Sequence, residues 1–133
     1  MFSLLLYIQV TDTPEQVSFR NPLQAVLKDT LHDIKRYDFD NHSEQLVLSY
    51  AEKLWNEASF SIIYIDAFSK ENLGKCRIFI NKIIENHTKS YFIINGENLL
   101  LDRMMSVYPQ NKISKNTHKI DEIEGLIEQL LSD

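Results

Sequence analysis

Short apolar runs punctuate this chain, and each ends abruptly in polar residues before a stretch of helical spacing begins. Residues 60–65 are the clearest case: Phe60, Ile62, Ile63, Tyr64 and Ile65 lead directly to Asp66. A run this short, rich in β-branched and aromatic residues, reads as a strand buried on both faces. Residues 3–10 read the same way, and Thr11-Asp12-Thr13-Pro14 breaks that run. Residues 91–94 give a third strand, and 112–114 a short edge strand.

Between the strands, apolar residues recur at helical spacing. A first helix starts at Asn21-Pro22, an N-cap followed by a proline tolerated in the first turn. Its stripe is Leu23, Val26, Leu27, Thr30, Leu31 and Ile34, and a polar break follows at 37–42. A second helix starts at Ser43, with Ser43, Asp40 or Asn41 as its cap. Leu46, Val47, Tyr50 and Leu54 form its stripe, with Leu48 and Trp55 to one side. A third helix spans 70–85 behind a Ser69 cap and buries Leu73, Cys76, Phe79, Ile80, Ile83 and Ile84. The last begins at Ile120 or Asp121 and ends at Leu131, with Ile123, Ile127 and Leu130 on its buried side.

One segment has two readings. Asn95-Gly96 between apolar runs is a strong hairpin signal, which would make 98–101 a returning strand. Leu99, Leu100 and Leu101 do not alternate as a half-buried strand does, so a helix over 97–107 is preferred. Strands alternating with helices, and apolar throughout, give a small three-layer α/β/α domain. Its sheet is mostly parallel, with three or four strands, Rossmann-like in its layering. The alternative is an α+β domain with a hairpin at 91–101. With 133 residues, few glycines and prolines and no linker, the chain reads as a single α/β domain over 1–133.

Composition narrows the setting. The net charge of -5 disfavours nucleic-acid binding, which depends on neutralising phosphates. Lys112, Lys115, His118 and Lys119 form a basic cluster that reads as a solvated loop. The lone Cys76 forbids an internal disulfide and suits a reducing compartment. The apolar start lacks the basic region and cleavage site of a signal peptide, and no run is long enough to span a bilayer. The expectation is a cytoplasmic protein with no membrane partner.

Candidate chemistry lies at the strand ends, because parallel α/β sheets bind ligands beyond the carboxyl ends of their strands. Asp12 and Asp66 are the candidate catalytic acids or Mg²⁺ ligands, with Thr11, Thr13, Ser69, Asn95 and Gly96 as ligand-binding candidates beside them. The competing reading is that such residues simply end strands and cap helices. The alternating pattern is shared with phospho-acceptor receiver domains. Those need adjacent acids after the first strand and a lysine after a later one, and the motif is not met here. No GxGxxG or GxxxxGK[ST] loop is present, so no nucleotide cofactor is implied. The four histidines have no ligand spacing, so no metal is assigned. Cys76 falls on a buried stripe and reads as core.

No activity is specified by these residues. The leading expectation is a non-catalytic protein acting through protein–protein contact or self-association, a homodimer included. Trp55, Phe68 and the Met104-Met105 pair are its candidate contact residues. The alternative is a small-ligand-binding protein or Mg-dependent enzyme using the acids at the strand ends.

Overall fold

Five parallel strands in the order β2-β1-β3-β4-β5 form the sheet: β1 (Ser3–Val10), β2 (Ile34–Asp40), β3 (Phe60–Ala67), β4 (Ser90–Gly96) and β5 (Ile113–Lys115). The computed structural model describes residues 2–18, 34–86, 89–115 and 125–130. Helices α1 (Gln45–Glu57), α2 (Cys76–Glu85) and α3 (Leu99–Met105) connect successive strands, and residues 125–130 are also helical. The expected α/β architecture is therefore present.

The core follows from strand alternation. Leu4, Leu6, Ile8 and Val10 of β1 join Ile63 and Ile65 of β3 on one face, under the apolar sides of α1, α2 and α3. Leu5, Tyr7, Ile62, Tyr64 and Ile93 form the opposite face, where Ile127 covers them. Each of these large apolar side chains contributes about 1.5–3 kcal/mol on burial, so the two central strands carry most of the core.

Several expectations change. Ile34 opens β2 rather than ending a helix, and the expected polar break at 37–42 is mostly strand. Edge strands take charged residues on exposed positions, which hides their period in the sequence. The helix expected from Asn21 lies outside the described residues, as do Ile120, Ile123 and Leu131. Helix α1 buries Leu48, Ala51, Leu54 and Trp55, so its buried stripe is rotated from the one expected, and Leu46 and Tyr50 are exposed. Its N-cap is Glu44, with no side-chain cap bond. Helix α2 begins at Cys76, not near 70. The hairpin alternative fails: β4 runs through Gly96, α3 follows, and β5 returns parallel.

Two contacts lock the amino-terminal end of the sheet. Lys89 Nζ donates to the carbonyls of Trp55 (2.8 Å), Asn56 (3.1 Å) and Ala58 (3.0 Å), placing a cation at the carboxyl end of α1. Trp55 packs edge-on to Phe79, and its Nε1 donates to Ser90 Oγ at 2.9 Å. Beside Ser90 in register lies Ser61, whose buried hydroxyl has no hydrogen-bond partner. Replacing Lys89 with methionine is expected to cost about 1–3 kcal/mol in urea unfolding, because three carbonyls lose a charged donor. Ser61→Ala is expected to leave stability unchanged or raise it. An unaffected Lys89→Met protein, or a destabilised Ser61→Ala protein, would contradict these assignments.

Candidate functional site

The order β2-β1-β3-β4-β5 places the reversal of winding between β1 and β3, where open α/β sheets form their ligand crevice. Here the chain's own loop at 68–75 lies across that position. Val10 ends β1, and its carbonyl accepts from the backbone N–H groups of Phe68 (2.8 Å) and Ser69 (3.0 Å). Ser69 Oγ donates to Asp12 Oδ1 at 2.5 Å and accepts from the Asn72 N–H at 3.1 Å. Ser69 thus caps a turn in this loop, and α2 starts later than its position suggested.

Three asparagines hold this edge. Asn41, directly after β2, accepts from the Thr11 N–H (3.0 Å) and donates to the Thr11 carbonyl (2.9 Å). Its side chain thereby extends the β1–β2 ladder by one step. Asn72 Nδ2 reaches the same carbonyl at 3.4 Å. Asn98 donates to the carbonyls of Ser69 (2.9 Å) and Asn72 (3.0 Å) and accepts from the Leu101 N–H (3.0 Å), capping α3. His42 Nε2 lies 3.1 Å from the Thr11 carbonyl and 3.0 Å from its Oγ1. Thr11 Oγ1 donates to the Thr13 carbonyl. Gly74, at φ +51°, lets the loop approach Asn41: a Cβ there would lie 2.4 Å from the Asn41 carbonyl oxygen. Thr11, Asn41, Ser69 and Asn98 are all buried, and each is bonded within the chain.

The other candidate acid lies on the opposite face of the sheet. Asp66 accepts from the Tyr7 hydroxyl on β1 and from Asn95 Nδ2 on β4 at 3.1 Å. Tyr7 stacks on Tyr64 at 5.5 Å. Burial pushes the Asp66 carboxyl above its ordinary range, while the bonds from Tyr7 and Asn95 pull it down; the rise wins. Burial, and then the bond to Asp66, push the Tyr7 phenol upward. Gly96 ends β4 at φ +91°, with a hypothetical Cβ 2.2 Å from the Ala67 carbonyl oxygen.

The expected site residues therefore gather at one edge but divide between two networks. Thr11, Asp12, Thr13 and Ser69 belong to the loop cluster, and Asp66 and Asn95 to the cross-strand one. Among the described residues, Asp12 and Asp66 share no hydrogen-bond partner. Among the described residues, no group of three or more metal-type side chains converges. A lysine does end a later strand, Lys115 on β5, but its Nζ pairs with Asp102 at 2.6 Å. Burial pushes the Cys76 thiol to about 12, so it stays protonated in the core. Sequence reading missed Asn41, Asn72, Asn98, His42 and Tyr7. Asparagine directly after a strand is the usable signal, since one side chain can both donate and accept.

A cavity of about 310 Å³ lies beside β2, lined in part by Tyr7, Gln9, Tyr37, Asp40 and Val47. That is near the lower limit for small-molecule pockets. Among the described residues, no helix is long and apolar enough to cross a membrane. No protein-family model, curated protein or solved structure matches the chain.

The raised Asp66 carboxyl makes a pH prediction. The folded state holds this proton more tightly than the unfolded chain, so its contribution to stability is full below the unfolded value of 3.8. It is lost as pH rises through the folded value. Asp66→Asn is expected to flatten the fall in unfolding free energy from about pH 4 upward. Tyr7→Phe is expected to cost about 1–3 kcal/mol by removing a hydrogen-bond donor from the buried Asp66 side chain. Urea titrations across that pH range check both, and parallel curves for Asp66→Asn and the parent would contradict the first.

Proposed function

We propose that this protein is a non-catalytic domain that acts through protein–protein contact, self-association included. One observation carries the reading: at the crevice between β1 and β3, Thr11, Asn41, Ser69 and Asn98 are buried and bonded within the chain, leaving Asp12 exposed at the rim with Ser69 as its partner. Beside them two large apolar side chains stand exposed. Phe68 is 64% exposed and Leu99 is 57% exposed. The Leu99 N–H donates to the Lys70 carbonyl at 2.7 Å, tying the start of α3 to the same loop. Large apolar side chains left in water beside a closed crevice suit a contact surface. Trp55 is buried and leaves that role, as does Met105, while Phe68 keeps it. The single buried thiol supports a reducing, cytoplasmic setting.

A small-ligand or Mg-dependent role for Asp12 and Asp66 is the second reading. The cavity beside β2 favours a small ligand, although among the described residues neither acid lines it and only Tyr7, the partner of Asp66, connects it to them. Thermal unfolding with Mg²⁺, nucleotides and common metabolites separates the two. A ligand at a hundredfold excess over its Kd adds about 2.7 kcal/mol to the folded state. In a domain of this size that raises Tm by several degrees. No such rise is expected from any of these compounds, and one that Asp12→Ala or Asp66→Asn abolishes would replace the contact reading with the ligand one.

A further inference from the structure

Among the described residues, strand β2 lies at the sheet edge with β1 as its neighbour, and it is seven residues long where the opposite edge strand, β5, has three. Edge strands of this length are templates for another strand unless charge or shape protects them. Here Lys35, Arg36, Asp38 and Asp40 are interspersed with Ile34, Tyr37 and Phe39, and the charges are self-complementary. Ile34, Arg36, Asp38 and Asp40 point to one face, and Lys35, Tyr37 and Phe39 to the other.

We propose that a second copy of this chain adds antiparallel along β2, centred on Tyr37, to make one continuous ten-stranded sheet. This names a partner for the protein–protein contact proposed above, on a second surface at β2 and α1 separate from Phe68 and Leu99, and it rests on the reading that the protein acts through contact. In this register Arg36 faces Asp38 of the second copy, and Asp38 faces its Arg36. Opposite charges directly across a strand pair attract, and like charges repel. Centring the pair on Arg36 or on Asp38 would set like charges opposite each other, so the charges select the register centred on Tyr37. Both residues already interact within the chain, and the pairing adds an opposite charge to each.

The other face adds an independent observation. Tyr37 packs on Tyr50 at 5.1 Å, and its hydroxyl donates to the Val47 carbonyl at 3.3 Å. Beyond it, Leu46 is 81% exposed and Tyr50 49% exposed. An apolar strip of α1 therefore flanks the edge. The two-fold pairing joins this strip to its counterpart, with Tyr37 beside Tyr37 at the axis. An isologous contact of this kind closes at two copies.

Charge exchange tests the pairing by sedimentation velocity. Arg36→Asp alone and Asp38→Arg alone each set like charges opposite one another twice. Each should weaken the dimer about tenfold or more while remaining folded by circular dichroism. Mixed in equal amounts, the two variants should form a heterodimer, because every facing pair is then opposite in sign. The double variant should dimerise as the parent does. A parent that stays monomeric at its highest soluble concentration overturns the proposal. Single variants that dimerise like the parent overturn the β2 surface but leave self-association through another face standing. Should either variant fail to fold, hydrogen exchange of the parent decides: protection of β2 amides must rise with concentration, and unchanged protection overturns the pairing.

Discussion

Strands β1 and β3 pair in parallel over eight residues, and nearly every position of both is buried. With side chains alternating between the faces, this pair supplies apolar residues to both cores at once. β2 and β4 then take the two free edges, one on each side. The position of the crevice, the two faces and the place of β2 at the edge of the described strands all follow from that single register. A slip of one residue would exchange the two faces and send Asp66 from the face of Tyr7 to that of α2.

The same pairing explains why the carboxyl edge is so heavily bonded. Parallel strands end together, leaving several backbone groups without ladder partners. The chain satisfies them locally, with Asn41 extending one ladder, the 68–75 loop meeting the Val10 carbonyl, and Asn98 bridging that loop to α3. An acid placed among such groups takes part in the closure. Asp12 accepts from Ser69, and Asp66 is held between Tyr7 and Asn95.

The buried strands were legible because both their faces are apolar, and that is also why the α/β class could be read. β2 was not, because Lys35, Arg36, Asp38 and Asp40 interrupt its apolar residues as an edge strand allows. The start of α2 was misplaced for a related reason: residues 70–75 have helix-compatible spacing, but Gly74 at positive φ and the Asn72 and Asn98 bonds turn the chain instead. Trp55 read as a surface residue because the stripe of α1 was set by Leu46 and Tyr50, which proved exposed. The candidate acids were located correctly at the strand ends. Their separation into two networks was not legible, since it depends on which face each strand turns toward its neighbour.

Closure of the crevice between β1 and β3 is the central claim, and native-state hydrogen exchange tests it most directly. The Thr11 amide donates to Asn41, and the Phe68 and Ser69 amides to Val10. These three should exchange as slowly as the interior amides of β1 and β3, opening only with global unfolding. Exchange orders of magnitude faster than the strand interiors would mean that the loop leaves the crevice in the native state, and would contradict the account.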